Sequence, residues 1–157
     1  MLIALRLSAA MVVVLASWPA PSARTAQGPP PPAAPEPPRP DRWEPPPEEK
    51  IRTNPVAATP EASRRGKFLY QKHCMSCHGA HGKGDGPASS YWGHVPEDLT
   101  DPERQARLTD GEIFWKITHG RKADGEVIMP GFMNSVPSEE DRWKVVLYVR
   151  SLGQQAR

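Results

Sequence analysis

The sequence predicts an all-α domain with substantial loop over residues 61–157, preceded by two segments of different character. Apolar residues recur at helical spacing between Trp143 and Leu152. Thr59, Thr109 and Ser138 stand where helix N-caps belong, each with acidic residues in the following turn. No run of alternating apolar and polar residues has a partner beside it, so no convincing strand pair is expected.

Residues 1–27 have the pattern of an export signal. Arg6 supplies the positive region, Leu7 to Trp18 form an uncharged apolar run, and Pro19 and Pro21 break it. Ala20, Ser22 and Ala23 are small enough for a cleavage site. The run falls short of the ~20 residues that span a bilayer as a helix. Cleavage near Ala23 is the favoured outcome; retention would leave a membrane anchor.

Residues 28–60 hold thirteen of the twenty prolines, including Pro29-Pro30-Pro31-Pro32 and Pro45-Pro46-Pro47. The remainder is mostly Ala, Glu, Arg and small polar residues, too little apolar surface to offset ordering entropy. A disordered, polyproline-II-like linker is expected, reaching on the order of 100 Å when extended. Trp43 is its one residue suited to docking. The remaining segment, 61–157, is one small domain. It carries fourteen Lys and Arg against thirteen Asp and Glu, a net +1. That balance gives no basic face for nucleic acid. A core this small is marginal alone, so whatever fills it contributes to folding.

The first helix is predicted from the Thr59 cap, with Pro60 at the first helical position, to about His73. Leu99-Thr100-Asp101-Pro102-Glu103 carries a T-x-x-E capping box with Thr100 as cap, opening a short helix to about Arg107. Thr109-Asp110-Gly111-Glu112 is a second box, with Ile113, Phe114 and Ile117 on the buried face and Gly120 as the stop. The last helix is expected from Ser138 to about Leu152, ended by Gly153.

The chemistry lies where the first helix ends. Cys74-Met75-Ser76-Cys77-His78 contains both cysteines of the chain, with a histidine directly after the second. C-x-x-C-H is the attachment signature of a c-type haem. Each thiol forms a thioether to a porphyrin vinyl group, and the His78 imidazole reaches the iron. A thioredoxin-type dithiol would need a βαβ pattern that is missing here. A zinc site would need a second close ligand pair, and His94 and His119 lie far apart. A disulfide across two residues would be strained. The Gly-rich loop from Gly79 to Pro87 lacks the ending and the preceding strand of a phosphate loop. A wrap around the haem edge explains its glycines better, with the Pro87 carbonyl facing the second ring nitrogen of His78. A six-coordinate iron needs one more ligand. Met129, Met133, His94 and His119 are the downstream candidates. Met129 is preferred because it lies in a loop stiffened by Pro130 and because Met/His ligation is usual in cytochromes c.

With these residues in place, the chain resembles the class I cytochromes c in their small bacterial mono-haem form. The stretches that carry the resemblance are G-K-F-L-Y-Q-K-H-C-M-S-C-H-G (66–79), G-K-G-D-G-P (82–87), D-L-T (98–100), M-P-G-F (129–132) and D-R-W-K-V-V-L-Y-V-R-S-L (141–152). It covers nearly all of 61–157 and none of 1–60. The resemblance implies four to five short helices wrapped around one covalently bound haem, with the first and last helices crossing through Gly66, Tyr70 and Tyr148. It implies that Cys74 and Cys77 carry the haem, His78 is the proximal ligand and Met129 the distal one. It further implies an electron carrier rather than an enzyme.

The expectation is therefore an exported, periplasmic cytochrome of an electron-transport or respiratory chain, passing single electrons to and from a redox partner such as a dehydrogenase or oxidase. Membrane contact is expected only if the N-terminal segment is retained. One rival is a haem-bearing subunit of a larger dehydrogenase or oxidase complex. The other is a haem sensor or peroxidase with an open distal position.

Overall fold

The computed structural model describes residues 43–91 and 94–155. The expected export signal, 1–27, and the linker as far as residue 42 lie outside the described residues. Among the described residues there are six helices and one short hairpin.

Helix α2 (Pro60–His73) starts as the sequence dictates. The Thr59 hydroxyl accepts from the Ala62 amide, Pro60 occupies the first turn, and Glu61 faces the positive end of the dipole. Its inner face is Ala62, Gly66, Leu69 and Tyr70. Helix α6 (Glu139–Gln155) packs across it, opened by the Ser138 hydroxyl, which accepts from the Asp141 amide. The two backbones approach closely at Gly66, where a Cβ would lie 2.0 Å from the Lys144 carbonyl oxygen. One turn on, the rings of Tyr70 and Tyr148 meet at 5.0 Å. The crossing therefore runs through the three residues the resemblance implied. The helix does not stop at Gly153, as the sequence reading expected. That glycine is buried against Gln105, and a Cβ there would sit 2.6 Å from the glutamine side chain. It serves helix packing rather than termination.

Helix α4 (Pro102–Arg107) is capped by Asp101, not by Thr100. The Asp101 carboxylate accepts from the amides of Glu103 and Arg104, while Thr100 bonds to Asp98. Proline prefers the first helical position, so the residue before Pro102 becomes the cap. Helix α5 (Asp110–His119) begins at Thr109 as expected, with the Thr109 hydroxyl accepting from the Glu112 amide. Its apolar face, Ile113, Phe114 and Ile117, joins Leu69, Tyr70, Val136, Trp143, Val146 and Val149 in one core. Phe114 and Trp143 stack at 4.1 Å. Arg150 ties three helices together. Its guanidinium donates to Asp110 (2.7 Å) and to the carbonyls of Gln105 and Leu108 (2.6 Å each). Such a fork suits Arg and would not suit Lys.

Two further features depart from expectation. The first is an antiparallel hairpin, β1 (Arg121–Ala123) with β2 (Glu126–Met129). Its turn is Asp124-Gly125, both at positive φ (52° and 83°), the geometry of a two-residue I′ turn. The second is the ordering of residues 43–59, which the sequence reading assigned to a linker running to residue 60. Helix α1 (Pro47–Lys50) forms where Pro47 takes the first helical position and two glutamates follow. The Asn54 amide donates to the Trp143 carbonyl, and the Thr109 hydroxyl donates to the Lys50 carbonyl. Arg52 lies over the rings of Phe114 (4.8 Å) and Trp143 (5.2 Å) and pairs with Glu49 and Glu139. Proline content argued for extension, but polar and cation–π anchors hold this stretch.

Replacing Gly66 by Ala tests the crossing. In an exposed helix the change stabilises by about 1 kcal/mol; here the new Cβ meets backbone, so a loss of about 1–3 kcal/mol is expected in thermal or urea unfolding. A second test uses acid. Asp141 on α6 accepts from Arg65 on α2 at 2.6 Å, and that bond chiefly holds its carboxyl below the ordinary value. A native value below the unfolded one stabilises the fold above about pH 4 and ceases to do so as pH falls through the native value. Asp141→Asn should therefore melt below the parent protein at neutral pH, and the difference should vanish in acid.

Candidate functional site

Helix α2 delivers Cys74 as its C-cap, with the Cys74 amide donating to the Tyr70 carbonyl. The chain then makes a single tight turn, α3 (Met75–His78), in which the His78 amide donates to the Cys74 carbonyl at 2.9 Å. This turn brings Cys74, Cys77 and His78 to one wall of a cavity of about 540 Å³. The glycine loop folds back over the same turn. The amides of Gly84, Gly86 and Ala88 donate to the carbonyls of His78, Cys77 and Ser76. At Gly86 a Cβ would lie 2.4 Å from the Ser76 carbonyl oxygen, which is why that position carries no side chain. These amides are committed to the motif, so the loop holds no free cradle for phosphate. Tyr70 closes the turn from below, its buried hydroxyl donating to the Gly79 carbonyl at 2.8 Å.

Local electrostatics favour a metal-binding imidazole and disfavour a redox dithiol. Burial holds the His78 imidazole below its ordinary pKa, with the Glu97 carbonyl opposing, so the ring is neutral at neutral pH. Its Nδ1 stands 3.4 Å from the Glu97 carbonyl oxygen. That carbonyl, and not the one of Pro87 that the sequence reading favoured, faces the ring. A donor bond there leaves Nε2 for a metal. Cys74 and Cys77 are not joined in a disulfide. Burial, and secondarily the neighbouring Cys77, pushes the Cys74 thiol up to about 12. A reactive dithiol needs a depressed value, so Cys74 is not poised as a nucleophilic thiolate.

Met129 lines the same cavity as the motif, presented by the end of β2. The chain after it is bonded to the last turn of α5, with the Phe132 amide donating to the Ile117 carbonyl at 2.9 Å. Met133 is 47% exposed and does not line the cavity. His119 also stays outside, its Nδ1 3.0 Å from the Trp115 carbonyl oxygen. His94 reaches the rim and is exposed. Of the four downstream candidates, then, Met129 and His94 share the cavity with the motif. Leu99, Leu108, Ile113 and Val149 make much of its wall apolar. A cavity of this size falls within the range of about 300–1,000 Å³ typical of cofactor sites. Its apolar walls and paired thiols fit a porphyrin bound through thioethers, with His78 and Met129 able to hold the metal. The sequence reading missed Glu97, Lys116 and Arg121 at this site. Trp43 also lines the cavity; it was noticed only as a residue suited to docking.

The family model described as "Cytochrome C oxidase, cbb3-type, subunit III" matches residues 61–149. The chain belongs to this family. It is a c-type cytochrome domain with a mostly helical fold, and its Cys74-x-x-Cys77 pair is the motif that implies covalent haem c. No curated protein sequence is significantly similar to this cbb3 subunit III-family member. Among solved structures, the Kuenenia stuttgartiensis reducing HAO-like protein complex Kustc0457/Kustc0458 matches with 28% identity and a TM-score of 0.51, covering 62% of this chain and 46% of that one. The domain thus spans less than half the length of that protein. The KustC0563 c-type cytochrome matches with 26% identity and a TM-score of 0.46, over 55% of this chain and 95% of that one. Cytochrome cL of Methylophaga aminisulfidivorans matches with 22% identity and a TM-score of 0.45, over 60% and 57%. No helix among the described residues is long and apolar enough to cross a membrane.

Tyr70→Phe tests the support beneath the motif. Losing the hydroxyl leaves the buried Gly79 carbonyl without its donor, and a loss of about 1–3 kcal/mol is expected in chemical unfolding.

Proposed function

We propose that the chain is a single-electron carrier whose haem is bound covalently through Cys74 and Cys77 and ligated axially by His78 and Met129. One observation carries this reading: the C-x-x-C-H turn and Met129, fifty-one residues after His78, line one largely apolar cavity. A haem bound there supplies a one-electron Fe(III)/Fe(II) couple. The chain's own groups set its surroundings. The Glu97 carbonyl orients His78 and fixes its tautomer. The Met129 thioether favours the reduced iron and raises the potential. Leu99, Ile113 and Val149 give the cavity apolar walls. Were His78 and Met129 both to hold the iron, no position on it would be left for a substrate or gas, and that is what would separate the carrier from the sensor or peroxidase.

Export to the periplasm under the direction of residues 1–27 belongs to the same proposal. The partner is a redox protein that docks weakly at the cavity rim, where Tyr91 and Val95 are 80% and 85% exposed; such encounters commonly bury less than about 1,200 Å². The second reading, a haem-bearing subunit of a larger dehydrogenase or oxidase, draws support from the family's name, which is that of an oxidase subunit, and from the similarity to the Kuenenia protein, which is part of a complex.

Intact-mass analysis of the exported protein should give one added haem and an N-terminus near residue 24. A colourless product with two alkylatable thiols overturns the haem. Met129→Ala should keep the haem, lose the weak red charge-transfer band of methionine-bound ferric haem and shift towards a high-spin spectrum. An unchanged spectrum removes Met129 as ligand.

A further inference from the structure

Residues 43–59 precede the family-matched region, yet one of them reaches the cavity. Trp43 lines it. The indole is held at three points. Its Nε1–H donates to the Gly120 carbonyl at 2.7 Å. The Lys116 ammonium, on α5, stands 4.8 Å from a ring centre, and the Arg121 guanidinium, on β1, stands 5.6 Å away. Lys116 is itself fixed by the buried Glu112 at 3.0 Å. Trp43 thus grips the junction at which the chain leaves α5 and enters the hairpin.

That junction is what the end of β2, at Met129, rests on. Gly120 turns at φ 68°, and a Cβ there would lie 2.3 Å from the Met129 carbonyl oxygen and 2.5 Å from the Gly131 nitrogen. Arg121 pairs with Met129 across the hairpin. Gly120 and Arg121, two of the three residues that hold the indole, are therefore direct neighbours of the methionine. A thioether is a soft ligand that favours reduced iron, so its hold on a ferric ion would depend on how firmly the end of β2 is kept in place.

We propose that Trp43 is a positioning residue for the distal methionine: from outside the matched domain it clamps Gly120 and Arg121 and so holds Met129 at the cavity. This rests on the reading of Met129 as axial ligand. The test uses the full holoprotein in the ferric state, with wild type, Trp43→Phe, Trp43→Ala and Met129→Ala compared. The readouts are the affinity for added imidazole, which competes for the distal position, and the temperature at which the methionine charge-transfer band is lost. Trp43→Ala should bind imidazole about tenfold more tightly, the effect of one lost hydrogen bond and two weak cation–π contacts, and should lose the band at a lower temperature. Trp43→Phe keeps a ring and lacks the N–H, so it should fall between; it decides alone if the alanine variant does not accumulate. If imidazole affinity and band loss match wild type in the Trp43 variants while Met129→Ala raises the affinity, the positioning role is overturned and the ligand assignment stands. If Met129→Ala leaves both readouts at wild-type values, the ligand assignment fails, and the role of Trp43 with it.

Discussion

Close contact between α2 and α6 governs the rest of the molecule. Gly66 lets the backbone of one helix rest against the Lys144 carbonyl of the other, and Tyr70 and Tyr148 fill the next turn. Because α2 ends at His73, this contact also fixes where Cys74 emerges. Tyr70 then reaches past the helix end to the Gly79 carbonyl, so one side chain belongs both to the helix interface and to the motif. Packing in the core and the placing of Cys74, Cys77 and His78 are not separable. The whole turn hangs from a pair of helices that can approach only because one position has no side chain.

Around that pair, cations perform tasks that apolar packing alone would not. Arg52 and Arg142 lie over the stacked Phe114–Trp143 pair, and Arg150 gathers the carbonyls at the end of α4 together with Asp110 at the start of α5. Carbonyls that end one helix beside the start of another need donors, and a guanidinium has enough of them in a fixed plane. This matters in a domain with a cavity of about 540 Å³ that its own apolar side chains leave unfilled.

Much of this was legible from the residues. Thr59-Pro60, Thr109 and Ser138 cap their helices, Gly120 ends α5, and the crossing runs through Gly66, Tyr70 and Tyr148. What was lost has physical causes. The hairpin strands are three and four residues long, too short to show alternation, although Asp124-Gly125 is a strong turn signal. Pro102 moved the cap from Thr100 to Asp101. The partner of His78 is a backbone carbonyl nineteen residues away, and a carbonyl carries no sequence signal. Residues 43–59 read as extended because proline dominates composition; the anchors that order them, Trp43, Arg52 and Asn54, are single residues whose partners lie far along the chain.

Homology and mechanics draw different borders on this molecule. The stretch shared with the family runs from 61 to 149, and so stops one residue before Arg150 and omits Trp43, Arg52 and Asn54. A fragment trimmed to those limits would carry every residue proposed to touch the prosthetic group and would lack the braces that keep three helices and the hairpin junction together. The contacts that brace the fold extend past the matched stretch at both ends.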